Sequence, residues 1–377
     1  MVTMRYYLLF AVAILFLFSA CTTEEEIQEK DYTLEKVFDN LESPWGMDMY
    51  EDDKVFITKR ESGLVLADLK EKTKYDIKGI PEFVSVGQGG MLDVEFDNNY
   101  IYLSYVDENE EGKATHLGRG EFDYENKEIL NFENLYVSKP YLDGGSHFGS
   151  RVVTYNDYVY LSTGDRGDKN FDESHISQNT SNSNGAIIRL YKNGTIPNTN
   201  PFVDDDEIKS SIYTYGHRNV QGMVKKPETD EIWISEHGER DGDVISKLNK
   251  GGNYGWPLAH YGCEYGTTTP VGDKPHELDW VEQPKYYWEC QSGGFPPAGM
   301  DFYTGDKFED WKGDLFLGNL AGEYLGRFSF ENEELVEKDP LLDNRGWRIR
   351  DVMEAPNEKI YVLVDGNPGK FVKITNN

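Results

Sequence analysis

Six short segments hold more histidine, arginine, asparagine and glycine than chain reversal alone requires. In Gly144-Gly145-Ser146-His147-Phe148-Gly149-Ser150-Arg151 a histidine stands among glycines just ahead of a strand. Glycine lets a backbone or substrate come close, and imidazole is the side chain whose ordinary pKa suits proton transfer near neutrality. His147 is therefore a candidate base, the alternative being a structural turn. Tyr215-Gly216-His217-Arg218-Asn219-Val220-Gln221-Gly222 brings Arg218 and Asn219 to a strand entry, where a guanidinium can grip the oxygens of a planar, carboxylate-bearing ligand. In Arg345-Gly346-Trp347-Arg348-Ile349-Arg350-Asp351-Val352 the two-residue period of a strand puts Arg348 and Arg350 on one side. Two like charges so placed call for an anion between them, either a ligand carboxylate or an acidic neighbour.

The other three segments are less specific. Gly87-Gln88-Gly89-Gly90 is a tight turn that presents one amide. Ser235-Glu236-His237-Gly238-Glu239-Arg240-Asp241-Gly242-Asp243 combines carboxylates with a glycine-relaxed backbone. A hard cation such as calcium takes carboxylate and carbonyl oxygens, although the spacing is not that of an EF-hand and a solvated acidic turn reads the same way. Gly252-Asn253-Tyr254-Gly255-Trp256-Pro257 supplies rings that either wall a pocket or pack a long loop.

The elements that must position these segments repeat along the chain. Val55-Phe-Ile-Thr58, Ile101-Tyr-Leu-Ser104, Val159-Tyr-Leu-Ser162, Ile232-Trp-Ile-Ser235, Leu315-Phe-Leu-Gly318 and Ile360-Tyr-Val-Leu363 are β-branched and aromatic, as buried strands require. Each follows a shorter strand and a polar turn, and a further strand comes after it. Helical periodicity is nearly absent, and Gly and Asn/Asp turns are frequent. Six such units closed in a ring hide their edges, so an all-β, six-bladed propeller with four-stranded blades is expected. The wider gaps between the third and fifth repeats leave room for loops at 165–185, 193–215 and 236–298, where a rigid scaffold would build a site.

The N-terminus reads differently. A basic start is followed by an apolar run from Tyr6 to Phe18 that ends in Ser19-Ala20-Cys21. A spanning helix needs roughly 20 apolar residues, so an export signal is the better reading. The boundary resembles a bacterial lipobox, which implies a signal peptide at 1–21, a lipidated Cys21, an acidic tether at 22–35 and a catalytic propeller at 36–377. The implied location is a bacterial membrane, periplasmic or at the cell surface, held only through that lipid. In such a compartment Cys263 and Cys290 remain as a pair able to form a disulfide. The net charge of -30, from 68 acidic and 38 basic residues, excludes a nucleic-acid partner, which demands a basic footprint.

Taken in order, these pieces resemble the soluble quinoprotein glucose and aldose sugar dehydrogenases: Ser43-Pro44-Trp45-Gly46, Gly87-Gln88-Gly89-Gly90, His147-Phe148-Gly149 with Arg151, Arg218-Asn219 with Gln221-Gly222, Glu236-His237-Gly238, Asn253-Tyr254-Gly255-Trp256-Pro257 and Arg348-Ile349-Arg350-Asp351-Val352. The resemblance spans roughly residues 36–375. It implies a six-bladed propeller that holds pyrroloquinoline quinone (PQQ) and Ca2+ and oxidises aldoses at C1 to the lactone, with hydride transfer to the quinone and an external electron acceptor. By the same resemblance His147 is the general base and Arg218 polarises the quinone carbonyl. Gln88, Asn219, Arg348 and Arg350 contact the cofactor, and the carbonyls of Gly238 and Glu239 bind calcium.

The sequence also departs from the family pattern. Ala321, in Asn319-Leu320-Ala321-Gly322-Glu323, stands where members carry a cofactor-contacting lysine. Glu239 stands where proline is usual, and Arg166, in Gly164-Asp165-Arg166-Gly167, where some members have glutamine. Arg166 is thereby a candidate to return the missing charge to the cofactor. A propeller that binds sugar or quinone without turnover is the first alternative. A calcium-dependent lactonase is the second, and it has no use for paired arginines.

Overall fold

The computed structural model describes residues 26–29 and 31–377. The expected signal peptide with Cys21, and residues 22–25 of the expected tether, lie outside them. Among the described residues no helix is long and apolar enough to cross a membrane.

Six antiparallel sheets follow one another as blades. Their inner strands are Pro44–Glu51, Met91–Asp97, Val152–Tyr155, Val220–Lys225, Pro297–Phe302 and Ile349–Glu354. The six apolar repeats are the second strands, Lys54–Lys59, Tyr100–Asn109, Tyr158–Ser162, Ile232–Glu236, Leu315–Asn319 and Ile360–Val364. Five sheets have four strands; the sixth has five. Its outer part is N-terminal: Tyr32–Leu41 pairs with Gly369–Asn376, with Leu34 opposite Ile374, and Glu26–Gln28 adds an edge. The closing strand thus starts inside the segment read as tether.

The blades are glued face to face. Phe56, Leu64 and Leu66 of the first blade pack on Met91, Val94, Ile101 and Leu103 of the second, all buried. Each such side chain contributes about 1.5–3 kcal/mol by leaving water. The same contact recurs around the ring, which fixes the blade angle and so the width of the central channel.

Five of the six inner strands carry a register shift at their entry, at Pro44/Met47, Met91/Val94, Val220/Gly222, Pro297/Met300 and Ile349/Asp351. A bulge re-aims the residues it contains. Those within the shifts include Trp45, Leu92, Gln221 and Arg350, and all four line one cavity. The bulges therefore convert an ordinary ring of strands into a ring of presented side chains.

Farther along the channel the inner strands bring carboxylates together. Arg151 Nη1 lies 2.9 Å from Asp93 and 3.1 Å from Asp351, with its guanidinium 4.4 Å from the Trp45 ring. Burial pushes Asp48 and Asp301 up to about 7, and Asp93 to about 6 despite Arg151. An acid held protonated by the fold but ionised when unfolded stabilises at low pH, and that contribution is lost as pH rises from the ordinary carboxylate range to about 7. Hence, between pH 5 and 8, the wild type should lose melting temperature relative to an Asp48→Asn/Asp301→Asn variant, whose amides do not ionise. Parallel pH curves in thermal scans would contradict this.

The long insertion of the fourth blade is stapled by a Cys263–Cys290 disulfide, with Cα atoms 5.5 Å apart and a sequence separation of 27. The disulfide that the sequence allows for this pair is present. Closing a loop of that length stabilises by roughly 3–4 kcal/mol through the unfolded chain. A Cys263→Ser/Cys290→Ser variant should unfold at correspondingly lower denaturant, which a urea titration reads directly; an unchanged midpoint would refute it.

Candidate active site

His147 sits on the loop that enters the third blade, with φ of 51°. Its amide donates to Gln88 Oε1 (2.8 Å) and its carbonyl accepts from the Arg166 amide (3.3 Å). A left-handed backbone at a non-glycine residue persists only when neighbours hold it, and here two loops do. Gly164 makes the approach possible, because a Cβ there would lie 2.1 Å from the His147 carbonyl oxygen.

The next residue supplies the partner. Asp165 Oδ1 lies 2.7 Å from His147 Nδ1, and Asp165 Oδ2 accepts the Trp256 indole N–H at 2.8 Å. Burial alone would raise the Asp165 pKa, but the His147 hydrogen bond and charge, with Arg218 nearby, hold it below the usual carboxylate range. An ionised Asp165 accepts from Nδ1–H, so neutral His147 carries its lone pair on Nε2. That nitrogen has no protein partner among the described residues.

The fourth blade repeats the arrangement. His217 Nδ1 meets Glu236 Oε2 at 2.9 Å, again pairing a histidine before the inner strand with an acid, here at the end of the second strand and in the third blade three residues past it. Here, however, His217 is fully buried and its Nε2 is tied to Thr214 Oγ1 (2.9 Å). Of these two pairs, the one at His147 has a basic nitrogen without a partner among the described residues.

Beside this pair a polar cavity of about 340 Å³ opens around the channel axis. Gln88, Asn219, Arg348, Arg350, Trp45, Arg60 and Ala321 are among its walls. His147 does not face it directly, but its neighbours Phe148 and Gly149 do. Asn219 is held by the Gly149 amide at 3.1 Å. Arg348 and Arg350 do converge, through the bulge and not through strand alternation, on a single oxygen of Asp365 at 3.2–3.3 Å. Burial raises and the two guanidiniums lower the Asp365 pKa, which ends below its ordinary value. One carboxylate against two guanidiniums leaves a positive charge, and among the described residues Arg350 Nε is buried without a partner. The surplus charge, the unmet donor and the flanking Trp45 ring fit a flat anion such as PQQ.

Other expected residues sit elsewhere. Arg166 does not join the cavity. Its guanidinium is spent on the carbonyls of Ser146, Lys113 and Gly144 at 2.8–3.3 Å and stacks on Phe148 at 3.8 Å, so it braces the His147 loop. It therefore does not restore the charge absent at Ala321. Arg218 is not among the cavity walls but lines a small crevice with His237, which borders both, and its Nη2 is 2.8 Å from Glu239 Oε2.

The Gly238–Asp243 loop folds tightly, a Cβ at Gly238 falling 2.0 Å from the Asp241 carbonyl oxygen. Asp243 supports it by accepting from the Gly238 amide (2.9 Å) and the Phe295 amide (2.8 Å). Among the described residues no donor meets the Gly238 or Glu239 carbonyl, and no three His, Cys, Asp or Glu side chains group to hold a metal. Two free carbonyls fit a hard cation. Asp165 and Lys169 are what sequence reasoning overlooked; the position of Asp165, three residues after a central strand and preceded by a glycine, is the signal that could have found it.

Comparison with known proteins accords with this geometry. Residues 41–373 match the Glucose / Sorbosone dehydrogenase family model. Over 350 residues the chain is 32% identical to Aldose sugar dehydrogenase YliI of Escherichia coli (strain K12), covering 91% of this chain and 92% of that protein. It is 28% identical over 447 residues to Quinoprotein glucose dehydrogenase B of Acinetobacter calcoaceticus, covering 92% of each. The crystal structure of the soluble aldose sugar dehydrogenase from Escherichia coli in the apo-form matches with a TM-score of 0.85 at 31% identity, over 92% of this chain and 100% of that one. Six blades, the ordered motifs and these likenesses together place the chain in the glucose/sorbosone dehydrogenase family, the PQQ-dependent sugar dehydrogenases.

Proposed function

We propose that the protein is a PQQ- and calcium-dependent aldose dehydrogenase that oxidises the sugar at C1 to its lactone. The observation that carries this reading is the His147–Asp165 pair, with Nε2 free, beside a cavity walled by Arg348, Arg350, Asn219 and Gln88. Arg348 and Arg350 would hold the cofactor carboxylates, and the Gly238 and Glu239 carbonyls the calcium. When bound, the quinone supplies a two-electron sink that no side chain offers. The chain's own part is acid–base and electrostatic. His147 Nε2 takes the proton of the anomeric hydroxyl, while Asp165 keeps the ring oriented and stabilises the imidazolium. Arg218 offers positive charge where negative charge develops. Its likeness to a quinoprotein glucose dehydrogenase supports the cofactor, and the electron acceptor is an external one.

The N-terminal pattern supports export and lipid anchoring at Cys21 as part of the same proposal. Ala321 on the cavity wall gives the non-catalytic alternative its footing. Protein beginning at Thr22, supplied with calcium, should reduce a dye only when both aldose and PQQ are present. PQQ binding without turnover would favour the alternative, and no binding would remove the reading.

A further inference from the structure

We infer that Glu239 and Lys169 form a clamp on Arg218, Glu239 acting as its positioning residue and Lys169 setting how much of the Arg218 charge a bound anion feels. The inference rests on the function proposed above.

Arg218 is 4% exposed and Glu239 5%. Among the described residues Glu239 is the one carboxylate on that guanidinium, at 2.8 Å. The main chain of Arg218 is fixed separately, its amide by Glu236 and its carbonyl by the Asp165 amide. The Trp256 ring lies 5.3 Å from Arg218 Cζ and is itself bound to Asp165. Without Glu239 the long side chain would lose its one ion pair among the described residues, where its Nε is already buried without a partner. A buried guanidinium stripped of its counter-charge is costly and will move to find another.

The carboxylate is a feature of this chain, since the family resemblance expects an uncharged proline at 239. A lone glutamate there would cancel the charge that an anionic cofactor needs. Lys169 offsets this: its Nζ lies 2.5 and 2.7 Å from the two Glu239 oxygens. It comes from the loop after the second strand of the third blade and is 57% exposed. The trio keeps a net positive charge while Arg218 stays fixed.

Opposite signs of effect test the clamp. Glu239→Gln keeps the shape and the backbone carbonyl but removes the charge. PQQ affinity, followed by fluorescence titration of the apoprotein, should hold or tighten by about threefold, while kcat falls on the order of tenfold to 100-fold as Arg218 loses its anchor. Glu239→Asp should recover part of kcat. Lys169→Met should weaken PQQ by about threefold, and added salt should weaken wild-type binding more than that of this variant. A merely structural role would shift both affinities the same way, alongside melting temperature, and that result overturns the clamp, as does an unchanged kcat in Glu239→Gln. If Glu239→Gln does not fold, the Lys169→Met affinity and its salt dependence decide. A wild type without PQQ-dependent turnover removes the functional reading and this inference with it; a wild type that turns over beside an indistinguishable Glu239→Gln removes the inference alone.

Discussion

On the proposed function, His147→Ala should lower aldose-dependent turnover by roughly 10²–10⁴-fold, the usual worth of a positioned acid–base group, while PQQ titrations of the apoprotein should stay near wild type. The asymmetry follows from geometry. His147 contributes its backbone to the turn with Gln88 and its ring to Asp165, but it is not a wall of the arginine-lined cavity. Asp165→Asn should remove much of the same rate, because an amide can donate to Nδ1 and so reverse the tautomer. A His217→Ala change provides the control: that ring has no free nitrogen, so its loss should lower melting temperature instead. Comparable kcat in His147→Ala and wild type would remove the residue from the chemistry.

The second large effect concerns the cofactor. Arg350→Ala should weaken PQQ by roughly 30-fold or more, the scale for truncating one partner of a buried, hydrogen-bonded charge pair. Arg350 is sunk in the bulge of the sixth inner strand, its pKa drawn down by burial although Asp365 opposes, and one donor is unmet. Arg348, whose side chain is 45% exposed, should cost less when removed. Arg350→Lys should not rescue, since a point charge cannot reproduce two-point contact with a carboxylate. Equal PQQ affinity in Arg350→Ala would mean that the cavity holds something else.

Much of this was legible in sequence because the repeats are local. Val55–Thr58 and its five counterparts became second strands since β-branched and aromatic runs have few other uses. The strings around His147, Arg218 and Arg350 marked loops at one end of the ring. What could not be read were partners set by the ring itself. Asp165 meets His147 across two loops, and Lys169 meets Glu239 from another blade, with no periodicity linking either pair. The bulges were equally hidden. Arg348 and Arg350 were matched by strand alternation, yet Arg350 is the extra residue at a register shift and reaches Asp365 for that reason. Arg166 shows the converse, as its charge suggested the cavity while nearby carbonyls claimed it.

The sixth blade has a consequence for how the molecule is made. Its sheet needs Tyr32–Leu41 from the beginning of the chain and Gly369–Asn376 from the end, and Thr33 Oγ1 reaches Asn377 across 344 positions. Contacts of such sequence separation are slow to form, because the intervening chain must be gathered first. During synthesis the five other blades can form while Tyr32–Leu41 waits with an open edge, an invitation to mispairing. Residues 369–376 are thus the ones that end that exposure, and the sheet that carries Arg350 is complete only when they arrive.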